Sequence, residues 1–338
     1  MNSAARLTAS RRRWGLALCA AVALACAVLA LLVGSVELDL GAVMAGVGPD
    51  DTIFWKLRLP RVALAAMVGA GLAASGAALQ PALRNPLASP DIIGVSGGAA
   101  LAAVLALAWM PAWASTAGVP LFAFVGAGAA AAFVYRASLV NGRLDPYTQI
   151  LVGVVFNTFC ASLILLVNAL ADASRTRSIV FWMMGGVSVQ PWPSLALAGS
   201  LFAVGIVMLM GQARSLNLSG LGDDTAASLG FDAGRCRATV FAASALVVGA
   251  SVALTGVITF VGLVVPHLLR RLLGSDNRLL LPASVLGGAA FLVASDTIAR
   301  WVLAPVELPV GAITAMTGGP FFLYLLRRHG RARAEDGP

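Results

Sequence analysis

Long stretches without a single charged residue decide what this chain can fold into. They cover residues 14–36, 62–83, 92–135, 146–171, 178–213, 238–269, 279–295 and 308–326. About 20 apolar residues in a helix cross the roughly 30 Å of hydrocarbon in a bilayer. The stretches are continuously apolar, without the period-two alternation of a transmembrane β-strand, and this excludes a β-barrel. A water-soluble fold is excluded as well. Of the 338 residues 59% are hydrophobic and 11% charged, too few polar side chains to cover a soluble exterior. The predicted fold class is an all-α membrane protein. Its 36 glycines suit that class, because small residues let helices approach closely within lipid.

The stretch 92–135 is too long for one crossing and divides into two spans near Pro111 and Pro120. The stretch 238–269 holds one span and a shorter, broken one, parted near Thr255 and Gly256. Within 178–213 only the part after Pro193 reads as a span. The count is about ten transmembrane helices, so both ends lie on one side. Placing them in the cytoplasm puts 17 of the 23 Lys+Arg on inner segments, among them Arg11–Arg13, Arg84, Arg136, Arg214, Arg270, Arg271 and Arg327. That is the bias the positive-inside rule requires. Lys56, Arg58, Arg61, Arg175, Arg177 and Arg300 remain outside and need their own explanation. Arg11–Arg13 followed by apolar residues resemble a secretory signal, but the run 14–36 exceeds a signal core and reads as an uncleaved first span. One polytopic domain fills 1–338: a basic cytoplasmic tail at 1–13, a transmembrane bundle at 14–326 and a cytoplasmic tail at 327–338.

The net charge of +8 is spread between apolar runs. It points to the membrane surface, with membrane lipid as a partner and nucleic acid not. Cys19, Cys26, Cys160 and Cys236 show no CxxC spacing, and only His267 and His329 are present, so no metal site is predicted. No segment carries a phosphate-binding GxxxxGK[ST] loop. If ATP is used, another chain binds it.

The most informative motif is Arg58-Leu59-Pro60-Arg61 before the second span, followed by Arg84-Asn85-Pro86-Leu87-Ala88-Ser89-Pro90-Asp91 and Gly94-Val95-Ser96-Gly97-Gly98. Two arginines cap the outer end of a span, a Pro-rich turn closes its inner end, and a Gly-rich helix follows. Prolines and glycines at membrane depth suit broken helices around a cavity. Further segments follow in order: Phe181-Trp182-Met183-Met184-Gly185-Gly186, Leu221-Gly222-Asp223-Asp224 through Ser228-Leu229-Gly230, Phe260 through Pro266-His267, Leu280-Leu281-Pro282-Ala283-Ser284, Glu307-Leu308-Pro309-Val310-Gly311, and Gly319-Pro320-Phe321-Phe322.

With these segments the chain resembles, from about Val36 to Arg328, the FecCD family of ABC-importer permeases for iron–siderophore, haem and cobalamin uptake. The resemblance implies ten spans, with spans 2–5 and 7–10 related as an inverted repeat. It implies a dimer with a second permease copy or paralogue, two cytoplasmic ATP-binding subunits and a periplasmic or extracellular substrate-binding protein. It makes residues 221–231 the helix that docks on the ATP-binding subunit, with Leu221, Gly222, Asp223, Asp224, Ala227, Leu229 and Gly230 at the contact. Read alone, this segment is a short capped helix with Asp223 at its start and Gly230 at its end. The resemblance further implies a cytoplasmic gate at Asn85 and Leu87, with Tyr147 and Thr148 beside it. It assigns Arg58, Arg61 and Arg300 to contacts with acidic residues of the binding protein. As residues alone, these arginines equally suit lipid phosphates or pairing with Asp296 or Glu307. Asn157 and Thr158, polar groups within a span, line a pathway or bond neighbouring helices.

The expected function is therefore that of the permease subunit of an ATP-binding-cassette importer in the cell inner membrane. It would carry an iron(III)-siderophore-type chelate inward, with haem and cobalamin as alternatives. No cofactor is expected on this chain, ATP and Mg being bound by the partner subunit. It is not expected to be an enzyme, since the spans hold no cluster of acids, histidines or a nucleophile–base pair. An ion-coupled secondary transporter would need intramembrane carboxylates, and Asp296, near the outer end of its span, is the one candidate.

Overall fold

A computed structural model describes residues 9–34, 36, 39–46, 48–219 and 231–335. Helix α1 (Ala9–Leu32) is followed by two short helices, α2 (Leu40–Ala45) and α3 (Pro49–Thr52), and a π-helical segment, Ile53–Arg58. That segment leads without a break into α4 (Leu59–Ala82). Pro60 stands at the start of α4, directly after the π-helical segment. Then come α5 (Val95–Trp109), α6 (Ala112–Ala137) and a hairpin of β1 (Leu139–Val140) and β2 (Arg143–Leu144). The hairpin turns on Asn141 and Gly142, both at positive φ, as a two-residue turn requires. The chain continues through α7 (Pro146–Leu170), α8 (Ala173–Met183), α9 (Trp192–Gly211), α10 (Ala213–Ser219), α11 (Ala233–Thr255), α12 (Val261–Leu273), α13 (Asn277–Trp301) and α14 (Val310–Glu335).

Among the described residues seven helices are long and apolar enough to cross a membrane. Helix α5 and residues 310–323 are apolar but shorter. The break in 238–269 falls where the sequence places it, at Gly256, whose φ of 66° carries the chain out of α11. One sequence expectation is corrected. Pro120 lies inside α6 and does not end it; the division of 92–135 is made at Met110 and Pro111, which are extended. Within 178–213 the span is α9, as the sequence places it, and the short helix α8 precedes it. Both predicted tails are in part helical, with α1 beginning at Ala9 and α14 reaching Glu335.

Helix α4 is the centre of the bundle. It packs against α9, α11, α12 and α13, and Leu64, Ala65, Val68, Ala73, Ala74, Ala77 and Ala78 are fully enclosed. Hydrocarbon gives no hydrophobic drive for such packing, so contact area must come from close approach. Glycine supplies it. A Cβ on Gly69 would stand 2.2 Å from the carbonyl oxygen of Gly288, and one on Gly288 the same distance from that of Gly69. Lower on α4, a Cβ on Gly76 would stand 1.7 Å from the carbonyl oxygen of Gly262. Gly98 and Gly126 join α5 to α6 in the same manner. Where helices touch backbone to backbone, an added methyl has no flexible neighbour to displace.

Gly76→Ala is therefore expected to force α4 and α12 apart and to lower stability by about 1–3 kcal/mol, the usual cost of overpacking. Gly128→Ala, on α6 with open space at its Cβ, is expected to be neutral. Thermal unfolding of both purified variants in one detergent checks this; equal melting temperatures would refute the close-approach reading.

Candidate functional site

Three non-helical segments meet where α8, α11 and α14 end or begin. The Gly186 N–H donates to the Thr255 carbonyl at 2.8 Å, and the Gly311 N–H to the Gly185 carbonyl at 3.2 Å. Gly185, Gly256 and Gly311 allow this convergence. A Cβ on each would lie 2.2 Å from a carbonyl oxygen, that of Val257, Trp182 and Met184 respectively. Irregular backbone at membrane depth is tolerated where protein or a water-filled cavity satisfies its polar groups. Both conditions hold, since the segments bond one another and line a cavity of about 900 Å³. The cavity extends from Arg61 and Glu307 past Trp182 and Gln190 to Thr255 and Gly256. Sequence reasoning singled out these segments by their glycines but did not foresee that they converge.

An ion cluster sits at the Arg61 end. The Asp296 side chain is 1% exposed and that of Arg61 12%. Arg61 Nε and Nη2 donate to Asp296 Oδ1 at 3.1 and 2.9 Å, and its Nη1 donates to both Glu307 carboxylate oxygens at 3.0 and 2.9 Å. One planar guanidinium thus holds two carboxylates, a geometry lysine lacks. Arg300 Nε lies 3.1 Å from Asp296 Oδ2 as a charge contact without hydrogen-bond alignment, and its Nη2 donates to the Ala30 carbonyl at 3.3 Å. The cluster ties α4 and α13 to the loop before α14. Asp296 is neutralised by two arginines, which argues against its service as a proton- or ion-coupling carboxylate.

Arg58 and Arg175, two of the arginines that the charge pattern places outside, cap helix ends. Arg58 Nη1 donates to the carbonyls of Leu31 and Leu32 at 2.7 and 2.8 Å, and Nη2 to that of Val36. Arg175 Nη1 donates to the carbonyls of Leu107 and Ala108 at the end of α5. The last carbonyls of a helix lack intrahelical partners and carry the negative end of its dipole, so a cation there is favourable. Arg61 and Arg300 make the pairing with Asp296 that the residues alone allowed. Arg58 and Arg300 are buried, each 5% exposed, with internal partners. Of the three arginines assigned to the binding-protein contact, Arg61 reaches the surface, through the half-exposed Glu307.

Asn85 and Leu87 occupy the turn after α4, where Asn85 Oδ1 accepts the Leu87 N–H at 2.9 Å. Tyr147 and Thr148 open α7, at the same end of the bundle. Leu87 and Tyr147 are 39% and 76% exposed, apolar groups without cover from this chain. Asp145 caps α7 by accepting the Thr148 N–H at 2.7 Å; that bond, chiefly, holds its carboxyl below the usual range. Asn157 is no free pathway group. Its Oδ1 accepts the Gly97 N–H at 3.1 Å and its Nδ2 donates to the Asp91 carbonyl at 2.6 Å, closing the start of α5. Thr158 bonds back to the Val154 carbonyl at 3.0 Å and is exposed. Leu221, Gly222, Asp223, Asp224, Ala227, Leu229 and Gly230 lie outside the described residues.

Seven helices long and apolar enough to cross a membrane and broken segments around a cavity define a polytopic membrane protein. Residues 22–328 match the FecCD transport family, and the chain belongs to that family. It is 38% identical over 285 residues to the hemin transport system permease protein HmuU of Yersinia pestis, covering 83% of this chain and 85% of that one. It is 43% identical over 307 residues to the vitamin B12 import system permease protein BtuC of Vibrio cholerae, covering 89% and 90%. Other relatives are named for import of ferric citrate and ferric hydroxamate. A solved structure described as a metal-chelate type ABC transporter in an inward-facing conformation superposes with a TM-score of 0.80 at 32% identity, over 94% of this chain and 99% of that one.

Asp296→Asn removes the charge that Arg61 and Arg300 share inside the protein and is expected to cost about 3–5 kcal/mol. Glu307→Gln loosens a half-exposed pair and is expected to cost under about 1 kcal/mol. Detergent denaturation of both variants measures the difference; equal losses would mean that the cluster is not centred on Asp296.

Proposed function

We propose that this chain is the permease subunit of an ATP-binding-cassette importer that carries an intact metal chelate, of the iron(III)-siderophore type, into the cytoplasm. Family membership across the whole bundle carries this reading. The cavity between the broken helices supports it, since its volume is in the range that accepts a ligand of chelate size. The ligands of the chelate hold the metal, so the permease needs none of its own. The segment from Asn85 to Asp91 resembles the iron–siderophore branch. Haem and cobalamin are the second reading, favoured by the relatives named for hemin and vitamin B12.

The proposed assembly has both ends of this chain in the cytoplasm of an inner-membrane complex, ten spans and an inverted repeat. A second copy or paralogue packs on α7, where Leu151, Val155, Phe159 and Leu166 form an exposed apolar stripe. Two ATP-binding subunits hold ATP and Mg and receive the segment 221–231, and the chain itself binds no cofactor. The substrate-binding protein docks at the mouth where Arg61 and Glu307 reach the surface, with Arg58 and Arg300 supporting that mouth from inside. Asn85, Leu87, Tyr147 and Thr148 form the inner gate, and the chelate passes by alternating access.

Three measurements test this. Growth of a deletion strain on single iron sources should fail on ferric siderophores and recover with this chain supplied; failure on haem alone would move the assignment to the second reading. Ala227→Arg should leave the bundle inserted but uncouple ATP hydrolysis from transport, by tenfold or more in transport rate; normal rates would remove 221–231 from the contact. Leu87→Cys should crosslink to its symmetry mate in the nucleotide-free dimer. A cysteine that neither crosslinks nor changes accessibility with nucleotide would put the gate elsewhere.

A further inference from the structure

At the opposite end of the bundle from the ion cluster, a cavity of about 640 Å³ opens between the end of α4, α10 and the α12–α13 turn. Its polar lining is Gln80, Arg84, Asn217, Arg270, Ser275, Asp276 and Asn277. Gln80 is 3% exposed. Its Oε1 accepts from Arg270 Nη1 at 2.6 Å. Because a guanidinium only donates, this bond fixes which way the amide faces. The Gln80 Nε2 group is left buried with no hydrogen-bond partner among the described residues. Such an orphaned donor costs on the order of 1–3 kcal/mol and is rare in native proteins without a cause.

Arg270 sharpens the point. It is half-buried, yet no carboxylate among the described residues comes within ion-pair distance of its guanidinium. Arg84 faces the same cavity and is steadied by a bond from its Nε to the Ser219 carbonyl at 3.2 Å. Among the described lining residues the carboxylate is that of Asp276, engaged through Oδ1. Its Oδ1 accepts from Asn217 Nδ2 at 2.8 Å and from the Arg278 N–H at 2.9 Å, capping α13. Asn217 in turn accepts from the Asn277 backbone and side chain at 2.9 Å. The cavity thus presents the Arg270 guanidinium and an orphaned amide donor, beside one buried acceptor without a partner, Asn277 Oδ1. The two donors favour an anion with several acceptor oxygens.

We propose that this cavity binds a phosphate group. The group can belong to a phospholipid headgroup at the arginine-rich membrane face or to a small soluble phosphate; both offer the same oxygens to Arg270 and Gln80. On the orientation proposed above, the cavity opens to the cytoplasmic leaflet. Because α10 leads directly into the segment 220–230, an occupied site would brace the start of that segment.

The test uses the purified, delipidated full chain. Inorganic phosphate should raise its melting temperature above that in chloride at matched ionic strength. Native mass spectrometry from nanodiscs should show retained phosphatidylglycerol in preference to phosphatidylcholine. Arg270→Gln should weaken the response by about tenfold, the worth of one charge-assisted bond, and Gln80→Leu should weaken it too. A lipid response without a phosphate response assigns the site to headgroups, and both together assign it to phosphate in general. If Arg270→Gln does not fold, Arg270→Lys keeps the charge and should retain a weakened response. Equal responses of wild type and Gln80→Leu to phosphate and to phosphatidylglycerol, or stabilisation by chloride alone, overturn the proposal whatever the transported substrate proves to be.

Discussion

A peptide carbonyl or N–H that leaves its helix inside a bilayer has no water to bond, and each one stranded there costs several kcal/mol. The rest of this structure depends on how those groups are satisfied. Where the chain stays helical the ladder does it. Where α1 and α5 end, Arg58 and Arg175 donate into their last carbonyls. Where α8, α11 and α14 are interrupted, Gly185, Gly186 and Gly311 bring one irregular backbone against another. These departures from regular helix are each tied to a specific donor, and the broken ends of α8, α11 and α14 line a cavity.

The same constraint accounts for Arg58, Arg175 and Arg300, three of the cations that the charge pattern places outside. By the positive-inside rule alone, arginines beyond the outer membrane surface are anomalies. Helices that run outward present carbonyl ends on that side, and a guanidinium with five donors answers several carbonyls at once. Arg61 departs from this pattern, because its donors go to Asp296 and Glu307. Those bonds fasten α4, the most enclosed helix, to α13 and to the loop before α14. A mouth built this way is rigid at its buried edge and adjustable at Glu307, where exposure to solvent weakens the pair.

Much of the fold was legible in the residues. Charge-free length located the spans, and Thr255-Gly256 marked a true break because glycine alone reaches that backbone conformation without strain. Pro120 misled, since a proline within a membrane helix is accommodated by neighbours and need not end it. Helix α8 was missed because Arg175 and Arg177 interrupt its apolar pattern. The hairpin at Asn141-Gly142 had the usual signal of a two-residue turn, but two-residue strands are too short for period-two alternation to register. Asn157 was singled out correctly as a polar group in a span, while its partners at Gly97 and Asp91 are some sixty residues away and left no local trace.

By itself, the sequence determined that this chain lives in a bilayer, about where it crosses, which end of the bundle carries the positive charge and which family it resembles. These follow from hydropathy, charge placement and ordered motifs, all local or cumulative along the chain. Only the tertiary structure decided which arginine meets which carboxylate or carbonyl, which glycines touch, and which polar groups are left facing a cavity. Arg61 and Asp296, or Gln80 and Arg270, are separated by 235 and 190 positions. Their pairing is set by how helices cross, and crossing is governed by backbone approach at glycines such as Gly69 and Gly288, a geometric complementarity that no single segment encodes.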